Sequence, residues 1–143
     1  MMNQPDIGAF GRLLGFEVVE WEDGFVRMTM AIRPEHLNRS GVLHGGIVST
    51  LLDTACGYAA TWCRKPGHVR WVVSVTLTTH FVGQARDGVL TTVARKRGGG
   101  RKIVMASAEV LDEAGRLIGF GDGVVRYRSG SEDPDGIPYR PPT

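Results

Sequence analysis

Hydrophobic and polar positions divide the chain into one long apolar run and a series of short alternating ones. The long run, Ile47 to Cys63, has Asp53 as its only formally charged residue. Within it Val48, Leu51, Leu52, Ala55, Tyr58, Ala59 and Trp62 follow i, i+3, i+4, i+7 spacing, which predicts a helix with that stripe turned toward a core. The opposite side, Ser49, Thr50, Asp53, Cys56, Gly57 and Ala60, is small or polar and leaves room for another backbone or a ligand, with Asp53 at its middle. The run is shorter than the ~20 apolar residues a membrane span needs and contains several hydroxyls, so it reads as a helix buried in protein and no membrane partner is expected.

The short runs read as strands. Phe16 to Glu22 and Phe25 to Arg33 flank Asp23-Gly24, a hairpin signature. Beyond the helix, Val72 to Val82, Gly88 to Lys96, Lys102 to Leu111 and Leu117 to Arg128 are rich in β-branched residues and separated by turn residues, and these four are expected to form an antiparallel meander. A short helix fits Ile7 to Leu14. One apolar helix among mostly antiparallel strands predicts an α+β fold in which a curved sheet of about six strands wraps a long central helix. The expected organisation is one domain over residues 1–128, followed by a Pro-rich, loosely ordered tail over 129–143, which holds four of the seven prolines.

Composition removes several function classes. With 17 basic and 15 acidic residues the net charge is +2, too balanced for a nucleic-acid partner to be read from bulk charge. The two cysteines, Cys56 and Cys63, match no redox or metal spacing, and no basic, apolar leader opens the chain, so a reduced cytoplasmic protein is expected. The four histidines lack the HExxH pattern or any similar ligand spacing, and Gly119-Phe120-Gly121-Asp122-Gly123 lacks the spacing of a dinucleotide fingerprint, so neither metal nor cofactor is expected. One local concentration of charge stands out: Arg95, Lys96, Arg97, Arg101 and Lys102 surround Gly98-Gly99-Gly100, which suits either a solvated hairpin tip or a phosphate contact.

Chemistry concentrates on the helix. Consecutive glycines cost ~1 kcal/mol each in a helix interior, so Gly45 and Gly46 at its first turn require a reason. A tight loop-to-helix turn is one. Close approach of a ligand carbonyl to an unpaired N–H at the positive end of the helix dipole is another, and it is oxyanion-hole chemistry. Asp53 would be unremarkable on a charged, solvated face, but the helix body carries no other charge, and a carboxylate in such surroundings is a functional-site candidate. Eight residues separate Gly45 from Asp53, about 12 Å along a helix. For the two to act together, Asp53 must meet Gly45 of a second subunit, and a homodimer with two shared sites follows.

The segment Asn38-Arg-Ser-Gly-Val-Leu-His44-Gly45-Gly46-Ile-Val-Ser-Thr-Leu-Leu-Asp53 resembles the hotdog-fold acyl-CoA thioesterases of the phenylacetate-degradation (PaaI-like) and 4-hydroxybenzoyl-CoA thioesterase group, over roughly Leu13 to Arg128. The resemblance implies that the Gly45 N–H polarises a thioester carbonyl. It also implies that Asp53 of the neighbouring subunit is nucleophile or general base, with Asn38, His44 and Ser74 positioning substrate or water. It further implies an acyl-CoA substrate, held along Gly46 and Val73 with phosphates near Arg97, Gly100, Arg101 and Lys102, and subunits paired as a dimer or dimer of dimers. Coenzyme A would be part of the substrate and no separate cofactor is needed. Gly57 stands where other members carry Ser or Thr, so a hydroxyl one turn beyond the acid is absent. Taken alone, His44 reads as a structural loop histidine, Asn38 as a turn former and Ser74 as a ladder position. A hotdog hydratase or dehydratase, and a non-catalytic acyl-CoA-binding protein, remain the alternatives.

Overall fold

The structure, a computed structural model, describes residues 5–143. Helix α1 (Gly8–Leu14) leads into strands β1 (Phe16–Glu22) and β2 (Phe25–Ala31), and a 3-10 turn (Pro34–His36) and loop precede the long helix α2 (Gly45–Thr61). Then come β3 (His68–Val69), β4 (Val72–Phe81), β5 (Val89–Gly99), β6 (Ile103–Leu111), β7 (Leu117–Tyr127) and β8 (Ile137–Pro138). Six strands make one antiparallel sheet in the order β1-β2-β5-β6-β7-β4, while β3 pairs with β8 apart from it. The sheet wraps α2, which packs against β2 and β4 through β7. This is the α+β hotdog arrangement expected from the sequence.

Alternation builds the wall around the helix. In β6, Val104, Ala106, Ala108 and Val110 are buried while Ile103, Met105 and Glu109 face out, as a half-buried strand requires. At β7 the helix comes closer than a side chain would allow. A Cβ on Gly119 would lie 2.6 Å from Val48 Cγ1 and one on Gly123 would lie 3.0 Å from Cys56 Cβ, so the alternating glycines of that strand are the seat of α2.

Three expectations need correction. The last four long strands do not form one meander: β5, β6 and β7 do, but β4 pairs with β7 at the sheet edge, and the following chain crosses back to place β5 beside β2. Adjacency in sequence predicts pairing only while hairpin turns connect the runs. Cys56 and Ala60 do not lie on the open side of α2; both are buried, because a wrapped sheet covers more of the helix than one stripe. The helix ends at Thr61, and beyond it Arg64 pairs with Asp135 at 2.7 Å.

The tail over 129–143 is also held, through polar contacts invisible to composition. Ser131 is fully buried and its Oγ accepts the Trp71 N–H at 2.8 Å, while Arg70 donates to the Ser131 and Glu132 carbonyls. Arg70 also lies 4.2 Å above the Tyr127 ring. β8 then closes the ladder on β3.

Candidate active site

Asp53 projects from the arc of α2 that the sheet leaves open, half-buried among Ser49, Thr50, Thr54 and Gly57. β4 runs alongside, and inward-facing Ser74 donates its hydroxyl proton to Asp53 Oδ1 at 2.6 Å. That distance is typical of a charge-assisted O–H···O⁻ bond, and it fixes one carboxylate oxygen. Asp53 Oδ2 has no donor, and no cation pairs with the carboxylate, among the described residues. A hydroxyl orients the group without neutralising it.

The second group of sequence candidates gathers at the start of α2. His44 is the N-cap, and its Nδ1 accepts the Gly46 N–H at 2.8 Å, leaving Nε2 to carry the proton of the neutral ring. Gly46 is required there, since a Cβ on it would sit 2.9 Å from that same Nδ1. At Gly45 a Cβ would press to 3.1 Å against the Phe81 ring from the end of β4, so that ring would have to shift by a few tenths of an ångström. Each glycine thus has a packing reason of its own. Among the described residues the Ile47 N–H is taken by the His44 carbonyl and the Gly46 N–H by the His44 ring, while the Gly45 N–H has no acceptor. It is a free donor at the positive end of a 17-residue helix.

Asn38 behaves as a turn former, as its residue type alone suggests. Its Oδ1 accepts the Ser40 N–H at 2.9 Å and the Val42 N–H at 3.3 Å, closing the loop ahead of the helix. Its side-chain amide N–H groups are left without a partner among the described residues. Sequence reasoning missed the residue that holds this loop. His36 is buried at 2% exposure, its Nδ1 accepting the Arg33 N–H and its Nε2 donating to the Leu14 carbonyl, both at 2.9 Å. Its own carbonyl accepts the His44 N–H at 2.9 Å, so the imidazole ties the helix cap to α1. A lone histidine in a loop carries no sequence signal for that role.

The structure therefore brings Asp53 to Ser74 and sets His44 beside Gly45 about two helical turns away, ~12 Å, with Asn38 in the loop that leads to the helix. Of the candidates for the nucleotide, Val73 and Lys102 line one cleft, of about 530 Å³, with Arg126 and Arg128. Val73 and Ser74 are successive strand residues and face opposite sides, so the basic cleft lies across the sheet from Asp53. Arg126 and Arg128 were missed because they sit at the end of β7, far in sequence from the glycine turn. Arg97 is turned back to Ser107, and the Gly100 N–H is used within the turn by the Ile103 carbonyl. Arg101 stays exposed.

Among the described residues no helix is long and apolar enough to cross a membrane, and no three His, Cys, Asp or Glu side chains stand where they could share a metal ion. A family model for the thioesterase superfamily matches residues 40–118, which span the helix start, Asp53 and Ser74. The chain is 31% identical over 119 residues to acyl-coenzyme A thioesterase 13 of Pongo abelii, covering 78% of this chain and 80% of that protein. It is 27% identical over 115 residues to acyl-coenzyme A thioesterase PaaI of Escherichia coli, covering 80% and 79% respectively. The solved structure of the E. coli PaaI protein superposes with a TM-score of 0.76 over 86% of each chain at 24% identity, a likeness of fold.

Proposed function

The chain belongs to the thioesterase superfamily, and from that membership we propose that it hydrolyses acyl- or aryl-CoA thioesters in a site shared by two subunits. The observation that carries the reading is the pairing of an oriented, unneutralised carboxylate on the open arc of α2 with a free N–H at the start of the same helix. A thioester carbonyl oxygen bound at the Gly45 N–H gains stabilisation as it acquires charge in the tetrahedral intermediate, worth ~3 kcal/mol for a single well-placed donor. Asp53 supplies the base or nucleophile at the carbonyl carbon. The C–S bond then breaks, coenzyme A leaves as thiolate and takes a proton, and water provides the hydroxyl of the free acid. Asn38, whose amide N–H groups have no partner among the described residues, and His44, whose Nε2–H is left over by the cap bond, are assigned to hold substrate or water. Every step uses protein groups and water, and the reading needs no metal.

The spacing along α2 excludes Asp53 and Gly45 of one chain from acting on one carbonyl, so the carboxylate serves the Gly45 of a second subunit. Support for such pairing lies at β4, the sheet edge. Val75 is 55% exposed and Phe81, beside Gly45, is 59% exposed, on a ten-residue strand with a free ladder edge, the kind of surface proteins normally cover. The nucleotide is assigned to the Lys102, Arg126 and Arg128 cleft, whose cations suit phosphates.

A panel of acyl-CoA thioesters assayed by release of free thiol tests the activity, with Asp53→Ala as the diagnostic variant. Thiol release by the native chain and its loss in Asp53→Ala at unchanged oligomeric mass support the proposal. Turnover by Asp53→Ala at the native kcat, or an enoyl-thioester hydration without thiol release, overturns it.

A further inference from the structure

A cleft of about 490 Å³ runs along the C-terminal half of α2, its lining on that helix beginning at Thr54, the residue after the acid. Thr54, Gly57, Tyr58 and Thr61 form its floor, one side after another of the helix arc that the sheet leaves open. Its roof comes from outside the sheet: Phe10 of α1 on one side and Tyr139 of the C-terminal segment on the other. Trp21 is fixed at the wall, its Nε1–H donating to the Tyr58 carbonyl at 2.8 Å and its ring meeting the Tyr58 ring edge-on at 5.6 Å.

Two details give the cleft a defined entrance and end. At the entrance Gly57, one turn beyond Asp53, faces open space: a Cβ there would meet only Val72 Cγ2, at 3.9 Å. Four residues apart, Asp53 and Gly57 share one face of the helix, so the cleft opens one turn from the acid. At the far end Tyr139 is clipped in place from both sides, its N–H donating to the Gly67 carbonyl at 3.0 Å and its hydroxyl to Asp6 Oδ2 at 3.1 Å. Its ring lies 6.4 Å from that of Trp71. Asp6 also accepts the Gly8 N–H at the start of α1, so one carboxylate ties the two ends of the chain together over the cleft.

We propose that this cleft receives the acyl group of the substrate, and that Gly57 at its entrance and Tyr139 at its end are the residues that determine which acyl groups fit. The inference rests on the reading of the chain as a thioester hydrolase. Asp53 to Thr61 spans ~12 Å of helix. An extended chain advances ~1.2 Å per bond, a third of the rise per residue of an extended backbone, so the cleft matches an apolar acyl group of up to about ten carbons. A linear chain and a phenylalkyl chain of equal reach share that chemistry.

The test compares kcat/KM for acetyl-, octanoyl-, dodecanoyl- and 4-phenylbutanoyl-CoA in the native chain, Gly57→Leu and Tyr139→Phe. Gly57→Leu places an isobutyl group in the open space without meeting backbone, and the octanoyl-to-acetyl ratio should fall by at least ~30-fold, within the 10- to 200-fold range of a one-methylene misfit. The 4-phenylbutanoyl ratio should fall with it, and whichever of the two is the better native substrate identifies chain or ring as the natural occupant. Tyr139→Phe releases the Asp6 clip and should raise the dodecanoyl-to-octanoyl ratio several-fold; a chain ending at Pro138 should do the same. Thermal unfolding of each variant shows whether it is folded. Folded variants whose acyl preference matches the native profile overturn the inference while leaving the hydrolase reading intact. If the native chain cleaves no thioester, quenching of tryptophan fluorescence by octanoyl-CoA still decides: binding abolished by Gly57→Leu supports the cleft, and binding indifferent to it refutes it.

Discussion

Replacing Ser74 by alanine isolates the one side-chain bond that the structure gives to Asp53. The variant deletes a single oxygen on an exposed position of an edge strand, so packing is barely touched and stability should change by less than ~1 kcal/mol. Catalysis should change more. A hydrogen bond to a charged group contributes ~1.5–3 kcal/mol where it is buried, and Asp53 is half-buried, so the lower end of that range applies. At 1.36 kcal/mol per decade, the expected loss is about tenfold in kcat. KM should hold, because Ser74 touches the acid and not the basic cleft. Steady-state thiol release measures both constants, and Thr78→Ala, on the same strand away from the acid, serves as the control. A Ser74→Ala enzyme with kcat within twofold of native, alongside an inactive Asp53→Ala, would refute the claim that the hydroxyl orients the carboxylate. A tenfold loss that appears only in KM would place Ser74 in binding instead.

Charge reversal at Arg126 should raise KM for a CoA thioester about tenfold at low salt, with kcat little changed, and the difference should shrink as ionic strength rises. A pantetheine thioester lacking the nucleotide should not register it; equal effects on both substrates would remove the cleft from nucleotide binding. Cys56 is buried against the Ala106 carbonyl, and burial pushes its thiol up to about 11, so Cys56 should resist thiol reagents at neutral pH and react only on unfolding. Rapid labelling of Cys56 in the folded chain would contradict that. Asp112 accepts the Arg116 N–H first, then the Arg116 guanidinium and the Ala114 N–H, which together hold its carboxyl below the usual range. A depressed native pKa stabilises the fold at pH above the unfolded value of about 3.9 and is lost as pH falls through the native one. Asp112→Asn should therefore lower the thermal midpoint at neutral pH and converge on the native curve in acid; a constant gap across that range would show that the carboxyl contributes nothing through its charge.

The parts of the fold written in local periodicity were legible. Val48 to Ala59 announced a core-facing stripe, Asp23-Gly24 announced a hairpin, and the alternation of β6 matches its burial position by position. What failed depended on contacts between distant segments. Nothing near Val72 indicates that β4 will leave its neighbour β5 and take the far edge beside β7. Cys56 and Ala60 look like an open face until the sheet is known to curl around them. The tail looks disordered by composition because its anchors are single polar bonds, the buried Ser131 hydroxyl and the Ser131 and Glu132 carbonyls that accept from Arg70, and a composition average dilutes those two residues among prolines.

The candidate site divides along the same line. Gly45 and Asp53 were visible because helix physics makes each of them anomalous where it stands, a glycine pair in a first turn and a lone charge on an apolar helix, whereas His44 entered through the resemblance. Ser74 could be named only by resemblance, since a serine among valines and threonines is ordinary in a strand; its hydrogen bond to Asp53, beside a register shift between Ser74 and Thr76, appears only in the fold. Arg126 and His36 had no signal at all, one being a strand-end cation and the other a loop histidine. The two-turn separation on α2 follows from sequence alone, and the structure sharpens its consequence: the free Gly45 N–H sits beside Phe81, at the exposed edge where a second subunit would arrive. If β4 pairs with its own copy there, the surface that completes the sheet and the surface that delivers the carboxylate are one, and a lysine at Val75 should abolish the dimer and thiol release together.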